Sequence, residues 1–230
     1  MFTVSLIGPD GVGKTTVAKR LESSLPMPVK YIYMGLNDSA ANFSLPTTRI
    51  KHAIFKGKMT SSQSAQASPE KNALNHSSPI IIVLSSKVIK IARKTLGLVN
   101  LILEEWYRQF VAILYEKSGY IVIFDRHFIY DFYDFNGRND YETVKRRIHD
   151  RILKKTMLEP DLVICLDAPG EVAFKRKGEF NIEDLEIKRS QYINLQKVVK
   201  NFVIIDASRG LDDVIKDVGD RIIQFYQSII

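Results

Sequence analysis

Five short apolar runs punctuate the chain: Phe2 to Ile7, Val29 to Met34, Gly119 to Asp125, Leu162 to Leu166 and Phe202 to Asp206. Each is rich in β-branched or aromatic residues and too short for a helix, so each reads as a strand. Between them lie helical stretches, at Lys14 to Ser24, Ser85 to Lys117, Tyr141 to Met157, Glu171 to Lys177, Glu183 to Val199 and Leu211 to Ile229. Strands alternating with helices predict an α/β fold, a doubly wound, mainly parallel five-stranded sheet. The stretch from Ser85 to Lys117 carries Val88, Ile91, Leu96, Val99, Ile102, Leu103, Trp106, Phe110, Ile113 and Leu114 on one helical pattern. As one straight helix it would run roughly 50 Å, longer than a domain of this size accommodates, so a break at Gly97 is expected.

The pattern dissolves after Gly35. A short basic segment, Arg49 to Lys58, precedes a stretch to Pro79 rich in Ser, Gln, Asn and Ala. Such a stretch buries too little apolar surface to hold itself in place. Residues 36–79 are therefore expected to form a mobile insertion within a single domain spanning residues 1–230.

Composition narrows the picture modestly. The chain has 230 residues, 45% of them hydrophobic, and a mean hydropathy of -0.08, enough for one sizeable core. A net charge of +7 and a pI of about 9.3 suit an anionic partner or a merely basic surface. Lys87, Lys90, Arg93 and Lys94 read first as a solvated helix face and second as a contact with an anionic surface. The remaining basic residues are scattered over several helices, so no nucleic-acid partner is expected. The lone cysteine, Cys165, sits inside an apolar run and reads as a buried, inert residue. The first strand begins at Phe2 and the longest apolar run is Ile80 to Leu84, so neither a leader nor a membrane span is expected. The expected location is cytoplasmic.

The chemistry gathers at strand ends, where parallel sheets bind ligands. The first strand runs into Gly8-Pro9-Asp10-Gly11-Val12-Gly13-Lys14-Thr15-Thr16, which fits the G-x-x-x-x-G-K-[ST] phosphate-binding loop in its required strand–turn–helix setting. Gly11 and Gly13 let the backbone curl so that successive N–H groups face one anion. The helix start adds its unsatisfied N–H groups. Lys14 can reach the β- and γ-phosphates, and the Thr15 hydroxyl can hold Mg²⁺. Asp125 closes another apolar strand and is the candidate second metal carboxylate; its alternative is a turn cap. Arg126 beside it suits a phosphate next to the metal. Asp167 and Asp206-Ala207-Ser208-Arg209 follow two further strands. His127 can donate to a phosphate, whereas His52, His76 and His149 show no partner spacing and read as surface residues.

Taken in order, these segments resemble the thymidylate kinase family of P-loop nucleoside-monophosphate kinases. The resemblance rests on the phosphate loop with Asp10, on Asn100 to Arg108, on Asp125-Arg126-His127 and on Pro160 to Asp167. It extends to Arg176-Lys177-Gly178-Glu179, which looks like a lid over about 174–182, and to Ile205-Asp206-Ala207-Ser208 beside the adenine place. It implies a fold of the P-loop NTPase type and ATP- and Mg²⁺-dependent transfer of a γ-phosphoryl group to an acceptor phosphate. It implies that Gly8, Gly11, Val12, Gly13, Lys14, Thr15, Thr16, Arg176 and Ser208 bind ATP. Thr15 and Asp125 would hold the metal, and Lys14, Arg176 and Lys177 would neutralise charge on the migrating group. Arg108 and Arg126 would clamp the acceptor, Asp10 would accept a hydrogen bond from its hydroxyl, and a helix-mediated homodimer would form. For Asp10 a plain turn role stands beside this one.

The chain departs from the family pattern on the acceptor side. Met34-Gly35-Leu36-Asn37 stands where the family carries Thr-Arg-Glu-Pro-Gly. Tyr130 and Phe135 stand where it carries a serine and a thymine-reading glutamine. The aromatic run from Phe128 to Phe135 can stack against an acceptor or pack in the core. Three readings follow: a nucleoside-monophosphate kinase with dTMP as the leading acceptor, a kinase of the same build acting on a sugar or lipid-linked group, and a non-catalytic nucleotide sensor. The lipid-linked reading would bring a peripheral membrane contact, which is not the favoured case.

Overall fold

The computed structural model describes residues 1–35, 41–49, 79–131 and 140–230, with side chains over 1–35, 41–49, 95–130, 147–149 and 151–230. Much of the expected insertion, 36–40 and 50–78, lies outside the described residues, as do Phe135, His52 and His76. The chain divides into two units, Met1–Phe43 with Glu105–Ile230, and Ser44–Glu104.

In the first unit, strands β1 (Thr3–Ile7), β2 (Val29–Tyr33), β3 (Ile121–Asp125), β4 (Leu162–Asp167) and β5 (Phe202–Asp206) form one sheet in the order β2-β3-β1-β4-β5. Every pairing is parallel. Helices α1 (Lys14–Ser24), α2 (Pro79–Lys117), α3 (Phe128–Asp131), α4 (Asp140–Thr156), α5 (Gly170–Lys177), α6 (Ile182–Asn194) and α7 (Leu211–Ile229) complete the chain order.

Side-chain alternation makes the sheet two-faced. Val4, Leu6, Ile121, Ile123, Ile164 and Leu166 bury against Val17, Ala18 and Leu21 of α1 and Val214, Val218 and Ile222 of α7. Their neighbours Ile7, Val122, Phe124, Val163 and Cys165 bury on the other face with Val111, Ala112, Leu153 and Tyr192. Period-2 strands that are apolar at both phases need helices on both sides, which is the doubly wound arrangement. Cys165 is 1% exposed, and burial, with the Asp167 charge behind it, pushes its thiol up to about 12, so it is an inert core residue.

Three expectations change. Helix α2 runs unbroken through Gly97 over 39 residues. A lone glycine costs a helix only about 1 kcal/mol, and no neighbour lies within 4 Å of where a Cβ at Gly97 would stand, so nothing forces a break. His149 is buried, its Nε2 2.7 Å from Glu105 Oε2. The partner sits 44 residues away on α2, a distance that no local spacing reveals. His127 is wholly buried between the rings of Phe124 and Tyr130, sealed from solvent. Burial lowers its pKa to about 3, so the ring is neutral near pH 7. No helix among the described residues is long and apolar enough to cross a membrane.

Removing the Glu105 carboxylate takes an acceptor away from a buried imidazole. Glu105→Ala is expected to lower unfolding stability by about 2 kcal/mol in urea titration, and the double change with His149→Leu is expected to recover part of that loss.

Candidate functional site

The phosphate loop is built by three glycines with left-handed backbone. Gly8, Gly11 and Gly13 have φ of 139, 90 and 96°. A Cβ on Gly8 would stand 2.4 Å from the Leu166 carbonyl oxygen of β4, and one on Gly11 2.3 Å from that of Ala173 on α5. The loop therefore fits against β4 and α5 only because these positions carry no side chain. Gly13 opens α1 with no side-chain cap, leaving the first-turn N–H groups available to an anion. Lys14 is 5% exposed, and its ammonium donates to the carbonyls of Gly8 and Pro9, each at 2.7 Å.

Strand register brings the second half of the site alongside. Leu6 of β1 pairs with Asp125 at the end of β3. The Thr15 hydroxyl donates to Asp125 Oδ2 at 2.6 Å, and the Tyr31 hydroxyl donates to the same oxygen at 3.2 Å. Asp125 Oδ1 is buried with no hydrogen-bond partner among the described residues. An orphaned carboxylate oxygen beside a hydroxyl is a hard-oxygen donor set that fits Mg²⁺, which takes one or two protein ligands and completes its shell with water and phosphate. Among the described residues no group of three or more His, Cys, Asp or Glu could form an all-protein cage.

A cavity of about 420 Å³ lies over the loop. Asp10 to Val17 line it, and Arg126, Arg176, Lys177 and Arg209 add positive charge to the lining. Ala207, Leu211 and Val214 give it an apolar end. One cavity thus combines a phosphate cradle, cations and an apolar patch of the kind a base needs. Arg176 is anchored, donating to the carbonyls of Ala207, Ser208 and Arg209 at 2.8, 3.3 and 3.4 Å. Ser208 is absent from the lining; its hydroxyl and N–H both go to Asp206 Oδ1.

The acceptor-side candidates separate into two places. At the cavity rim Asp10 pairs with Arg126 and has Lys188 of α6 at 3.6 Å. Burial alone would raise the Asp10 pKa, but Lys14, Arg126 and Lys188 outweigh it and hold the carboxyl at about 2. Arg126 itself has a φ of 70°, an uncommon backbone state for a non-glycine residue. Arg108 lies away from the lining and is 1% exposed, donating to the carbonyls of Gly35 and Phe43 at 2.8 and 3.2 Å. Tyr130 is buried in the core against the His127 ring.

Arg209, read with the other residues that follow strand ends, does line the cavity. Tyr31 and Lys188 escaped the sequence reading, because each reaches Asp125 or Asp10 only through tertiary packing.

Residues 80–218 match the sequence model of the family described as thymidylate kinase, more than half of the chain. The chain belongs to the thymidylate kinase family. The matched segment holds Asp125, Arg126, Arg176 and Lys188 but begins after the phosphate loop, which stands on its own geometry. The thymidylate kinase of Thermosipho africanus (strain TCF52B) is 30% identical over 77 residues, 30% of this chain and 38% of that protein, so the match spans well under half of the relative. Among solved structures, deoxyadenosine kinase from M. mycoides with bound dATP is similar at a TM-score of 0.54 and 14% identity, covering 96% of this chain and 98% of that one. The same enzyme with bound dCTP gives a TM-score of 0.50 at 15% identity, over 96% and 99% of the two chains. At such identities the likeness shows the fold alone.

The contact between Gly11 and α5 is open to test. Gly11→Ala is expected to weaken ATP binding at least about tenfold in a calorimetric titration, with the far-ultraviolet circular dichroism unchanged.

Proposed function

We propose that the protein is an ATP-dependent nucleoside-monophosphate kinase, with dTMP the first acceptor to test. The observation that carries this reading is the joint geometry at the loop: the Thr15–Asp125 hydrogen bond behind it and the Asp10–Arg126 pair at its rim. A phosphate donor and a metal are provided for on one side, and an anionic, hydroxyl-bearing acceptor on the other.

The reaction transfers phosphorus between two oxygens: an acceptor phosphate oxygen bonds to the γ-phosphorus as the bond to the β–γ bridging oxygen breaks, releasing ADP. The loop N–H groups and the start of α1 hold the β-phosphate. Lys14 exchanges the Gly8 and Pro9 carbonyls for phosphate oxygens and follows charge to the leaving group. Thr15 and Asp125 would hold Mg²⁺, which supplies charge neutralisation across the phosphates. Arg126 exchanges Asp10 for the acceptor phosphate, and Asp10 then accepts from an acceptor hydroxyl. Arg176, fixed to the loop after β5, presents a guanidinium face near the apolar end and orders that loop. This is a different task from the neutralising role that the resemblance implies.

A second reading keeps the donor half and changes the acceptor. Arg108 is held by two backbone carbonyls and Tyr130 lies in the core, and both observations favour an acceptor other than a thymine nucleotide, such as a phosphorylated sugar. In either case ATP consumption should require Lys14 and Asp125. Lys14→Ala is expected to lower kcat by about 100-fold or more. Asp125→Asn is expected to raise the Mg²⁺ concentration for half-maximal rate by about tenfold. Both are read in a coupled ADP-release assay across nucleoside monophosphates and phosphorylated sugars. Release of ADP on no acceptor by a wild-type protein that binds ATP would discard the kinase reading.

The chain also presents Trp106, Phe110 and Leu114 one helical turn apart on α2, each between 43 and 56% exposed. We read this ridge as the surface that a second copy covers. Light scattering after gel filtration is expected to give twice the 26.3 kDa chain mass, and Phe110→Glu to give the monomer.

A further inference from the structure

We infer that Tyr31 is a positioning residue for the metal: with Thr15 it fills one oxygen of Asp125 and so turns the other, Oδ1, into the atom offered to the cation or to a water of its shell. This rests on the kinase reading for the presence of a divalent cation beside the loop, while the contacts that carry it belong to the protein alone.

The last torsion of an aspartate is broad and soft, so a carboxylate pivots unless contacts hold it. Asp125 Oδ2 accepts from two hydroxyls on different elements, Thr15 of α1 at 2.6 Å and Tyr31 of β2 at 3.2 Å. A carboxylate oxygen offers about two lone-pair directions, so Oδ2 is filled. Oδ1 accepts no hydrogen bond among the described residues, although Asp125 is fully buried. A buried carboxylate oxygen without a donor is costly. A divalent cation, or a water bound to one, relieves that cost. Thr15 alone would not hold this orientation. Its hydroxyl carries one proton, so while its oxygen serves a metal it gives Asp125 a single hydrogen bond, about which the carboxylate can still turn. Tyr31 supplies the second point of attachment, and it comes from the other side of β3.

Tyr31 is itself firmly placed. It pairs with Ile123 of β3. Toward the edge of the sheet its N–H donates to Glu22 Oε1 at 3.2 Å, and its carbonyl accepts from the Asn42 side chain at 2.7 Å. The Lys19 ammonium lies 5.8 Å from its ring centroid, a cation–π contact, and the residue is only 5% exposed. Lys19 and Glu22 stand on the same helix that begins with Lys14 and Thr15. The contacts therefore close a ring: α1 holds Tyr31, Tyr31 holds Asp125, and Asp125 holds Thr15 at the start of α1. A phenylalanine at position 31 would keep the packing and the backbone bonds but would release the carboxylate from one of its two donors.

The test compares wild type with Tyr31→Phe and with the control Tyr226→Phe, whose ring stacks on Phe2 at the opposite end of β1. Mn²⁺ serves as the probe cation. Its affinity for the protein saturated with ADP is read by electron paramagnetic resonance, and ADP affinity in the presence of EDTA is read by calorimetry. Tyr31→Phe is expected to weaken Mn²⁺ binding about fivefold, with metal-free ADP binding unchanged. Tyr226→Phe is expected to change neither. In the coupled assay, Tyr31→Phe is expected to raise the Mg²⁺ concentration for half-maximal rate by a similar factor, with kcat at saturating Mg²⁺ close to that of wild type. Unchanged Mn²⁺ affinity in Tyr31→Phe, with a monophosphate turned over, overturns the inference and leaves the kinase reading standing. An equal loss of metal-free ADP binding also overturns it, since the tyrosine would then serve the fold of the loop and not the cation. Weakened Mn²⁺ binding in Tyr31→Phe, with no acceptor turned over by wild type, retains the positioning role and discards the kinase reading. A wild type that binds Mn²⁺ no more tightly than free ADP does overturns the inference.

Discussion

The hydrogen bond from Thr15 to Asp125 is the contact through which the two halves of the candidate site meet. It joins the first turn of α1 to the last residue of β3 across 110 residues of sequence. It forms only if β1 and β3 are neighbours in the register that sets Leu6 against Asp125. A slip of one residue would turn the Asp125 side chain to the opposite face of the sheet. The two-sided burial of β1 and β3 fixes that register, since Val4 and Leu6 must stay on one face and Val122 and Phe124 on the other. The metal-compatible pair is thus a consequence of core packing, and the Tyr31 hydroxyl from β2 holds the same carboxylate oxygen from the far side.

Close approach without side chains is the second constraint. Gly8 lets the loop pass the Leu166 carbonyl, and Gly11 lets α5 approach the loop through the Ala173 carbonyl. A side chain in place of Gly11 would stand against α5. Here the α5 backbone takes up the space such a side chain would need. Positive charge reaches the cavity from Arg126, Arg176, Lys177 and Arg209 instead. The distribution of cations and the bareness of the loop are two sides of the same packing choice.

What the sequence disclosed follows the range of each interaction. The strands were legible because period-2 apolar runs report burial residue by residue, and the phosphate loop was legible because its donors are contiguous. Asp125 was legible because a strand end in a parallel sheet has a known destination. The unbroken helix through Gly97, the buried His149 and the buried His127 were not, because each depends on what packs against it from elsewhere in the chain. His149 meets Glu105 only after α2 and α4 come together, and His127 follows Asp125-Arg126 in sequence yet turns into the core. Lys188 belongs with these, since nothing in the local pattern of α6 distinguishes it from Arg189, which serves Asp167.

The same distinction explains where the chain departs from the family pattern. The free edge of β2 is closed by the Asn42 side chain, which accepts from the Tyr33 N–H at 3.0 Å and donates to the Tyr31 carbonyl at 2.7 Å. That places Phe43 so that its carbonyl, with that of Gly35, receives Arg108. A guanidinium bound to two carbonyls and sealed from water is a stable arrangement, and exchanging it for a phosphate would mean undoing the closure of the β2 edge. Arg126 is held differently, in an ion pair with the Asp10 side chain, and both residues line the cavity. The departure from the family at Met34-Gly35 and at Tyr130 therefore goes with two side chains, Arg108 and Tyr130, that the fold holds in its interior.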